Sequence, residues 1–497
     1  MTNLILVRHG ESEGNKMRII QGKMNIFSLT QEGRRQVKES TLSNIKLLKE
    51  INGVYSSSMM RAIETAKIVI KTAGIEQEVQ SMEILDEMDP GVLSGKTHDY
   101  AKENMPKEYA IWTQYKDLDG IERAETGDEL QARAIAFLEY MLHSCEQGNY
   151  VVVTHAGFLR CLYNTILNKD RTTPVDISNA CFHKVDAFKY FSPLVIKEGE
   201  KCSVSYISTC NGEYVIKHIN RLLTETELLL CKVQNRVSKK NSHITEVLFA
   251  QNMCLAENTY GLKISRYIDG EHDFQKYDYH KSIEIYKQVE KIYCDYNDEI
   301  RKEKSIHLFK EISLLKKTKL YLDKLRNCET KQLGIILTEH KEDEQYDSSQ
   351  FGFIIYDLHR RNIIFANDSL YFIDIESVLY APREYQVASY IVSFMMLNDY
   401  GDSEKATEKF INYICLKCGY RKSKIIFLSL WRVFTGLSYF ELLIEKSEND
   451  KAIVSDYWKV FTELMHMYED ENVNPKLLYK LKMLLRKCNV ILCNGGK

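Results

Sequence analysis

Two histidines and two arginines stand where predicted secondary-structure elements end or begin. Arg8 and His9 directly follow the apolar residues 4–7, which predict a strand buried on both faces. His155 directly follows a second apolar run, and Arg61 falls in the first turn of a predicted helix. In open α/β sheets, ligands bind at the C-terminal ends of the parallel strands. An imidazole beside a guanidinium there indicates a nucleophile next to an anion clamp.

A single histidine in a turn more often has a structural role, so the prediction depends on its partners. The helix that carries Arg61 has apolar residues at helical spacing and ends at Gly74. Its first turn offers free backbone N–H groups, which favour a bound anion. The order of strand, histidine and glycine at the N-terminus recurs around His155. Together, these side chains predict a phosphate site.

Four segments, in order along the chain, resemble the motifs of the histidine phosphatase superfamily, which has the phosphoglycerate-mutase-like fold. The opening motif is residues 6–12, LVRHGES, and the middle motif is residues 57–66. The acid-bearing loop corresponds to residues 85–95, and the late motif to residues 154–157. The resemblance implies an N-terminal α/β/α sandwich in which no catalytic position is missing.

The residues and the resemblance together give a role to each of five side chains. His9 is the nucleophile, which attacks phosphorus in line and becomes phosphohistidine. Arg8 and Arg61 hold the equatorial phosphate oxygens, and a protonated His155 adds a further donor. Glu87 protonates the leaving oxygen and later takes a proton from the attacking water. No metal or other cofactor is expected in this half, because these groups neutralise the phosphate charge.

The loop that follows the opening strand lies beside the phosphate pocket in the family that the chain resembles. Asn15 and Gln21 are therefore candidate contacts to the substrate phosphate, although Asn15 suits a simple turn nearly as well. The segment between Glu87 and His155 is short and lacks the longer insertion typical of the mutases. We therefore predict a phosphatase that acts on a small-molecule phosphomonoester.

A second set of side chains begins on a predicted hairpin in residues 203–217, which turns at an Asn-Gly dipeptide. Lys217 ends its second strand, and the predicted helix 224–237 carries Glu227. In kinases, a strand lysine binds the nucleotide phosphates and a helix glutamate holds it. Exposed lysines are common on hairpins, so a kinase role for this pair needs support from residues further along the chain.

Downstream, an aspartate and an asparagine five residues apart precede an apolar strand, and a second strand ends in carboxylates. The set Asp357, Asn362 and Asp374 suits one catalytic base and two magnesium ligands. The pattern resembles the aminoglycoside phosphotransferase and choline kinase branch of the kinase-like fold. The resemblance implies that Asp357 is the catalytic base and that Asn362 and Asp374 bind Mg²⁺. It also assigns Lys217 to the ATP phosphates, with Glu227 as its partner.

Two departures from that family leave a second interpretation open. The family usually has His-Gly before the catalytic aspartate, whereas Ile355 and Tyr356 stand here, and the glycine-rich loop is reduced to residues 198–200. The leading prediction is a bifunctional enzyme, whose C-terminal half is an ATP-dependent kinase of a small-molecule alcohol acceptor. The two activities act on the same metabolite or on successive ones. The alternative is a phosphatase regulated by a catalytically weak, nucleotide-sensing kinase-like domain.

The length of 497 residues predicts more than one core. We predict the α/β class, with a phosphoglycerate-mutase-like α/β/α sandwich in residues 1–192. A two-lobed, protein-kinase-like α+β domain follows in residues 193–497. Its smaller lobe covers about 193–270, and its larger lobe covers about 271–497.

Composition excludes several kinds of partner. The net charge is −2, so no basic field recruits nucleic acid. No signal peptide is evident, and the apolar stretch 425–444 contains Arg432 and Glu441, which favours a buried helix over a membrane span. The 13 cysteines are scattered singly apart from Cys415 and Cys418, whose helical pattern favours ordinary thiols over a zinc site. We therefore expect a cytoplasmic protein without nucleic-acid or membrane partners, and the sequence leaves its oligomeric state open.

Overall fold

The computed structural model divides into two compact units. The first unit comprises Met1–Thr224 and Val247–Tyr267, and the second comprises Glu225–Glu246 and Ile268–Lys497. The residues that the structure describes are 1–115, 118–198, 202–254, 259–270, 279–303, 314–326, 328–340, 351–355, 362–366, 369–373, 375, 378–396, 403–442, 448–469, 471 and 473–494.

A mainly parallel sheet forms the centre of the first unit. Its strand order is β3-β2-β4-β1-β5, in which β1 to β4 run parallel and β5 is antiparallel at the edge. This arrangement brings the C-terminal ends of β1, β4 and β2 to one edge of the sheet. The strands are β1 Asn3–Arg8, β2 Ile51–Ser57, β3 Val79–Met82, β4 Asn149–Thr154 and β5 Phe182–Asp186.

Helices cover both faces of this sheet. Leu4 and Leu6 of β1 join one core, whereas Ile5 and Val7 join another, and all four side chains are fully buried. The predicted strand buried on both faces is thus confirmed, because alternate side chains enter two separate helix layers. The helices of the first unit are α1 Glu13–Lys16, α2 Gln31–Ser43, α3 Met60–Ala73, α4 His98–Asn104, α5 Pro106–Ala110, α6 Gly127–Ser144 and α7 Ala156–Ile166.

Local capping explains where these helices begin and end. The Thr30 hydroxyl accepts a hydrogen bond from the Gly33 N–H at the start of α2. The helix α3 ends at Gly74, which has a left-handed conformation with φ 67°. Thr126 and Glu129 form a capping box at the start of α6. The predicted stop at Gly74 is confirmed.

A second, antiparallel sheet belongs to the first unit as well. Its strand order is β6-β7-β8-β10-β9. The predicted hairpin is confirmed as β7 and β8, with Gly212 in the turn at φ 129°, where a side chain would be strained. The strands are β6 Leu194–Lys197, β7 Cys202–Thr209, β8 Gly212–Ile219, β9 Val247–Cys254 and β10 Thr259–Arg266.

One face of this second sheet shares a core with α6. Tyr214 and Ile216 of β8, together with Leu262 of β10, are fully buried in the same cluster as Phe137 of α6. An amphipathic sheet must bury its apolar face, and here it does so against the phosphoglycerate-mutase-like part. The compact first unit therefore extends past residue 192, where the motif pattern placed the boundary.

The second unit is mainly helical, with two short antiparallel strand pairs, β11 with β14 and β12 with β13. The strands are β11 Phe351–Ile355, β12 Ile363–Ala366, β13 Ser369–Phe372 and β14 Val378–Pro382. The helices are α8 Glu225–Ser238, α9 Tyr279–Ile300, α10 Leu314–Lys324, α11 Glu329–Glu339, α12 Glu384–Met395, α13 Ser403–Cys418, α14 Lys422–Glu441, α15 Glu448–Glu469 and α16 Pro475–Asn494.

The long apolar stretch is a core helix of the second unit. Most of α14 is buried, and the Trp431 indole N–H donates to the Thr318 hydroxyl at 2.8 Å. Among the described residues, no helix is long and apolar enough to cross a membrane. Cys415 and Cys418 are half-buried thiols on α13, as the helical pattern predicts.

Candidate active site

The first sheet brings the predicted phosphate-binding residues to one edge. Arg8 ends β1, Ser57 ends β2, and His155 follows β4, and these three strands are neighbours in the sheet. Because they run parallel, their C-terminal ends meet. The rings of His9 and His155 lie 5.0 Å apart between centroids. Sheet topology therefore assembles the cluster that the motifs predicted.

The hydrogen bond of His9 determines which ring nitrogen is free. Its Nδ1 lies 2.7 Å from the Gly10 carbonyl oxygen, and the side chain is almost fully buried. Since a carbonyl only accepts, Nδ1 carries the proton and Nε2 keeps its lone pair. Burial, followed by the charges of Arg8 and Arg61, holds the pKa of His9 well below its ordinary value. At neutral pH, His9 is an uncharged imidazole, the form that can act as a nucleophile.

Two guanidinium groups surround this nucleophile and are anchored on backbone carbonyls. Arg8 donates to the Ile177 carbonyl, and Arg61 donates to the carbonyls of Met24 and Gly22 at 2.8 and 2.9 Å. Burial lowers the pKa of Arg8, and it lowers the pKa of Arg61 to about 10, so both remain cations at neutral pH. Among the described residues, the Nε atoms of both arginines are buried without a hydrogen-bond partner. An anion would satisfy these buried donors.

A chain of hydrogen bonds fixes the tautomer of His155. The Ser57 hydroxyl donates to the Asp86 carboxylate at 2.7 Å, because a carboxylate only accepts. The same Ser57 oxygen lies 2.8 Å from His155 Nε2, so that nitrogen must donate and Nδ1 holds a lone pair. His155 Nδ1 is buried without a partner in the described part of the chain. The chain therefore runs from His155 through Ser57 to Asp86.

The charge state of His155 in this structure differs from the sequence-based expectation. Burial, then the charges of Arg61 and Arg8, hold the pKa of His155 well below its ordinary value. The side chain is therefore neutral at pH 7, whereas the motifs led us to expect an imidazolium. The physical reason is that two guanidinium groups lie in the same buried site, and no phosphate charge offsets them. A bound phosphate dianion favours proton uptake at His155 Nδ1.

Glu87 lies at the N-terminus of α7. Its carboxylate accepts hydrogen bonds from the backbone N–H groups of Met88, Gly157 and Phe158 at 2.9, 3.2 and 3.1 Å. A Cβ at Gly157 would lie 2.7 Å from the Glu87 oxygen, so this close approach requires glycine. The Glu87 charge also acts on both Arg8 and Arg61. The structure thus places the predicted acid beside the two arginines.

Asn15 and Gln21 lie in the loop that Arg61 anchors. The Asn15 side chain closes a capping box with Ser12 at the start of α1, where its oxygen accepts from the Ser12 N–H at 3.1 Å. Gln21 is buried, and its side-chain oxygen accepts from the Ser12 hydroxyl at 3.0 Å. In this structure, both residues support the loop beside Arg61, which is the turn role considered for Asn15.

Comparison with known proteins identifies the family of this site. The model of the histidine phosphatase superfamily, branch 1, matches residues 4–191. Phosphoglycerate mutase-like protein 4 of Arabidopsis thaliana is 32% identical over 161 residues, which cover 32% of this chain and 69% of that protein. The chain belongs to the histidine phosphatase superfamily. Its N-terminal region, of about 190 residues, has the phosphoglycerate-mutase-like α/β fold and is a phosphatase of this superfamily.

Two further proteins are similar in sequence or structure to this histidine phosphatase. The metal-independent phosphoserine phosphatase of Arabidopsis thaliana is 31% identical over 166 residues, covering 33% of this chain and 68% of that protein. The solved structure of YhfR from Bacillus stearothermophilus has 27% sequence identity and a TM-score of 0.34, and it covers 37% of this chain and 91% of that chain. The similarity to these proteins covers only the N-terminal part of the present chain.

Sequence reasoning missed three residues that support the histidine phosphatase site. Ser57 and Asp86 hold His155, as described above, and Arg133 holds the acid loop. Arg133 donates to the backbone carbonyls of Ile84 and Asp86 and pairs with the Glu125 carboxylate at 2.7 Å. A polar residue at the end of a buried parallel strand is a signal that would have found Ser57. Arg133 lies in the middle of a helix, far from any motif, and the sequence carries no such signal.

The predicted nucleotide-binding residues are distributed over both units of this histidine phosphatase chain. Lys217 lies on β8 of the first unit, directly opposite Lys263 of β10, and Glu227 lies on α8 of the second unit. Asn362 is buried immediately before β12. The predicted base Asp357 and the predicted ligand Asp374 lie outside the described residues.

Proposed function

We propose that the N-terminal region is a phosphomonoesterase that works through a phosphohistidine at His9. The observation that carries this proposal is the tautomer of His9. Its Nδ1–H is held by the Gly10 carbonyl, so Nε2 presents a lone pair between two buried arginines. A neutral imidazole with one nitrogen fixed is a nucleophile that needs no separate base.

In the first step, His9 Nε2 attacks phosphorus, a P–N bond forms, and the P–O bond to the leaving alcohol breaks. Arg8 and Arg61 bind the equatorial oxygens, where charge must be stabilised in the transition state. His155, protonated at Nδ1 when the phosphate is bound, adds a third donor. Glu87 gives its proton to the leaving oxygen. The substrate's alcohol group then leaves as a neutral molecule.

In the second step, water attacks the phosphohistidine and Glu87 accepts its proton. The P–N bond breaks, phosphate leaves, and His9 regains its neutral form. The same carboxyl group therefore acts first as an acid and then as a base. The three backbone N–H groups at the start of α7 hold it in one position during both steps.

We further propose that the substrate is a small polar phosphomonoester. The relative named as a metal-independent phosphoserine phosphatase, which is 31% identical over 166 residues, supports this class. The two guanidinium groups that bind phosphate are cations, of which Arg61 is buried and Arg8 is half-buried, and this pair suits a dianionic monoester. Phosphoserine is accordingly the first compound to assay, beside other small phosphomonoesters and an aryl phosphate.

Trapping the covalent intermediate tests this proposal. When the full-length protein is mixed with substrate and quenched in alkali, we expect phosphate on His9 and on no other residue. Phosphohistidine survives alkali and is lost in acid, so an acid-treated half of each sample is the control, and peptide mass spectrometry locates the phosphate. Turnover with phosphate on a different side chain, or with none under any quench, would contradict the proposal.

We propose a second activity, an ATP- and Mg²⁺-dependent kinase of a small-molecule alcohol acceptor. The observation that favours it is the open end of the β12–β13 hairpin. Ile363 pairs with Phe372, and the Ile373 N–H donates to the Asn362 carbonyl at 2.9 Å. The hairpin register therefore holds Asn362 next to residue 373, which directly precedes Asp374. This supports Asn362 and Asp374 as neighbouring Mg²⁺ ligands.

The orientation of Lys217 also supports a nucleotide role. Tyr214 and Ile216 on β8 are fully buried in the core with α6. Because side chains alternate along a strand, Lys217 lies on the opposite face of the second sheet, where its cross-strand neighbour is Lys263. Lys217 is partly exposed whereas Lys263 is buried, and we assign Lys217 to the ATP phosphates.

The large cavity of the second unit is not part of this kinase proposal. It encloses about 870 Å³ and is lined by Phe351, Tyr293, Arg383 and neighbouring residues. Phe351 begins β11, whereas the predicted base Asp357 follows Ile355 at the other end of that strand. Among the described residues of β11, the cavity is lined by Phe351 at the start of the strand and not by Ile355 at its end.

A single incubation tests the kinase and names its acceptor. Full-length protein with His9→Ala, which preserves any phosphorylated product, is mixed with Mg²⁺-ATP and pooled alcohols, amino alcohols and sugars. We expect one compound to gain a phosphate in the mass spectrum. Adding Asp357→Asn should abolish that product, whereas Asp323→Asn, on the exposed side of α10, should leave it unchanged. ATP that binds without being consumed would instead favour the nucleotide-sensing alternative.

We place both activities in the cytoplasm. The cysteines that the structure describes are free thiols, including the exposed Cys210. Free, scattered thiols suit a reducing compartment. The identity of the acceptor decides whether the two activities oppose each other or act in succession. If the phosphatase hydrolyses the kinase product, both activities act on one metabolite.

A further inference from the structure

Three side chains outside the active site converge in the first unit. Glu139 and His143 lie one turn apart on α6, and His218 lies on β8 of the second sheet. His143 Nε2 is 3.2 Å and His218 Nε2 is 2.9 Å from the same Glu139 oxygen. The two imidazole rings are 4.9 Å apart between centroids. The cluster therefore combines two nitrogen ligands and one carboxylate, a set that transition metals accept.

The three side chains of this cluster differ in their exposure to solvent. The Glu139 side chain is 1% exposed and that of His218 is 12% exposed, whereas that of His143 is 53% exposed. One end is thus closed inside the protein, and the other opens to solvent at His143. A cluster of this kind has an entry path for an ion and an open position for a water ligand.

Two buried polar atoms at this cluster lack hydrogen-bond partners among the described residues. They are the second Glu139 oxygen, Oε1, and the Tyr260 hydroxyl. The ring of Tyr260 lies 5.3 Å from that of His218. Buried polar atoms are normally satisfied, and exceptions often mark an absent water or ion.

We propose that Glu139, His143 and His218 bind a divalent transition-metal ion of the Zn²⁺ class. For ligand bonds of about 2.0–2.1 Å, a tetrahedral site separates neighbouring ligand atoms by about 3.3 Å. The observed separations of 2.9 and 3.2 Å are close to this value. The ion takes the place of the Nε2 protons: each histidine binds through Nε2 as a neutral imidazole with its proton on Nδ1, and any second proton passes to solvent. Water occupies the fourth position beside His143. The bound metal links α6 to β8.

Cobalt provides the probe for this site, because its spectrum distinguishes the ligand type. The 13 cysteines of the chain are competing ligands, and thiolate coordination gives a strong sulfur-to-cobalt charge-transfer band. For the full-length, chelator-treated protein with Co²⁺, we expect four-coordinate d–d bands without that sulfur band, one equivalent per chain, and displacement by Zn²⁺.

Co²⁺ binding by substituted proteins tests whether the ion binds at this cluster. His143→Gln should weaken binding by roughly 100-fold or more, since it removes one of three protein ligands. His143 is half exposed, so this variant keeps the packing of α6. His466→Gln, at an exposed position on α15, should bind as the unmodified protein does. Glu139→Gln, which keeps the shape of the buried side chain, should also abolish the spectrum.

The proposal is overturned by any of three results. These are equal Co²⁺ affinity of the unmodified protein and His143→Gln, a spectrum dominated by sulfur ligands, and a dissociation constant weaker than about 1 mM. In each case, the cluster is only a hydrogen-bonded ion pair between α6 and β8.

Discussion

Replacing His9 with alanine should lower phosphomonoester hydrolysis by roughly 10⁴-fold or more, because no other side chain in the site can take its place as nucleophile. His155 is the nearest imidazole and has a lone pair on Nδ1, yet the hydrogen bond from its Nε2 to Ser57 fixes the ring in place, with its centroid 5.0 Å from that of His9. Alanine leaves Arg8 and Arg61 in place. Substrate binding, measured by calorimetry, should therefore persist while kcat for a generic aryl phosphate disappears.

The matched control for this change is His466→Ala, which removes an exposed imidazole from α15 and should leave hydrolysis unchanged. ATP binding by the His9→Ala protein should also equal that of the unmodified protein, since Lys217 and Asn362 are untouched. If His9→Ala retained more than a tenth of the activity, the nucleophile would be a different residue.

Replacing Glu87 with glutamine should reduce hydrolysis of alkyl phosphates by roughly 10²–10⁴-fold, which is the usual contribution of a general acid. Glutamine has the same shape, so its side-chain oxygen can still accept from the N–H groups of Met88 and Phe158. What it loses is the proton for the leaving oxygen. A leaving group such as nitrophenolate needs no such proton, and its phosphate should lose much less activity.

The ratio of the activity lost with alkyl phosphates to that lost with aryl phosphates distinguishes acid catalysis by Glu87 from simple disruption of its loop. Glu83→Gln is the matched control, because Glu83 is exposed and lies just before the same loop. This control should change the hydrolysis rate of neither alkyl nor aryl phosphates. Equal losses for alkyl and aryl phosphates in Glu87→Gln would show that Glu87 positions the loop and does not protonate the leaving group.

Several elements of the first unit could be predicted from the sequence because each of them carries a local signal. The apolar residues 4–7, the stop at Gly74 and the Asn-Gly turn before β8 each act within a few residues of themselves. Local signals of this kind predict the type of an element and roughly where it ends. They do not state what the element packs against. His218 of β8 contacts Glu139 of α6, which lies 79 residues earlier in the chain, and no local pattern specifies that contact.

Within the site, the sequence indicated which residues meet but not their protonation. His9, Arg8, Arg61, Glu87 and His155 all lie at the edge that the motifs predicted. The neutral state of His155 follows from burial beside two guanidinium groups and from the Ser57–Asp86 chain. Both causes are three-dimensional, because Asp86 and Ser57 come from different elements and reach His155 only after the sheet forms.

The shared core of α6 and the second sheet has a consequence for how this protein is made. During synthesis, β4 and α7 leave the ribosome well before β9 and β10, which extend to residue 266. Until then, the part of α6 that packs against β9 and β10 lacks its covering strands. A chain truncated at residue 192 would keep that part of α6 exposed and should aggregate. The phosphatase thus completes its folding only after translation has passed through the first helix of the second unit.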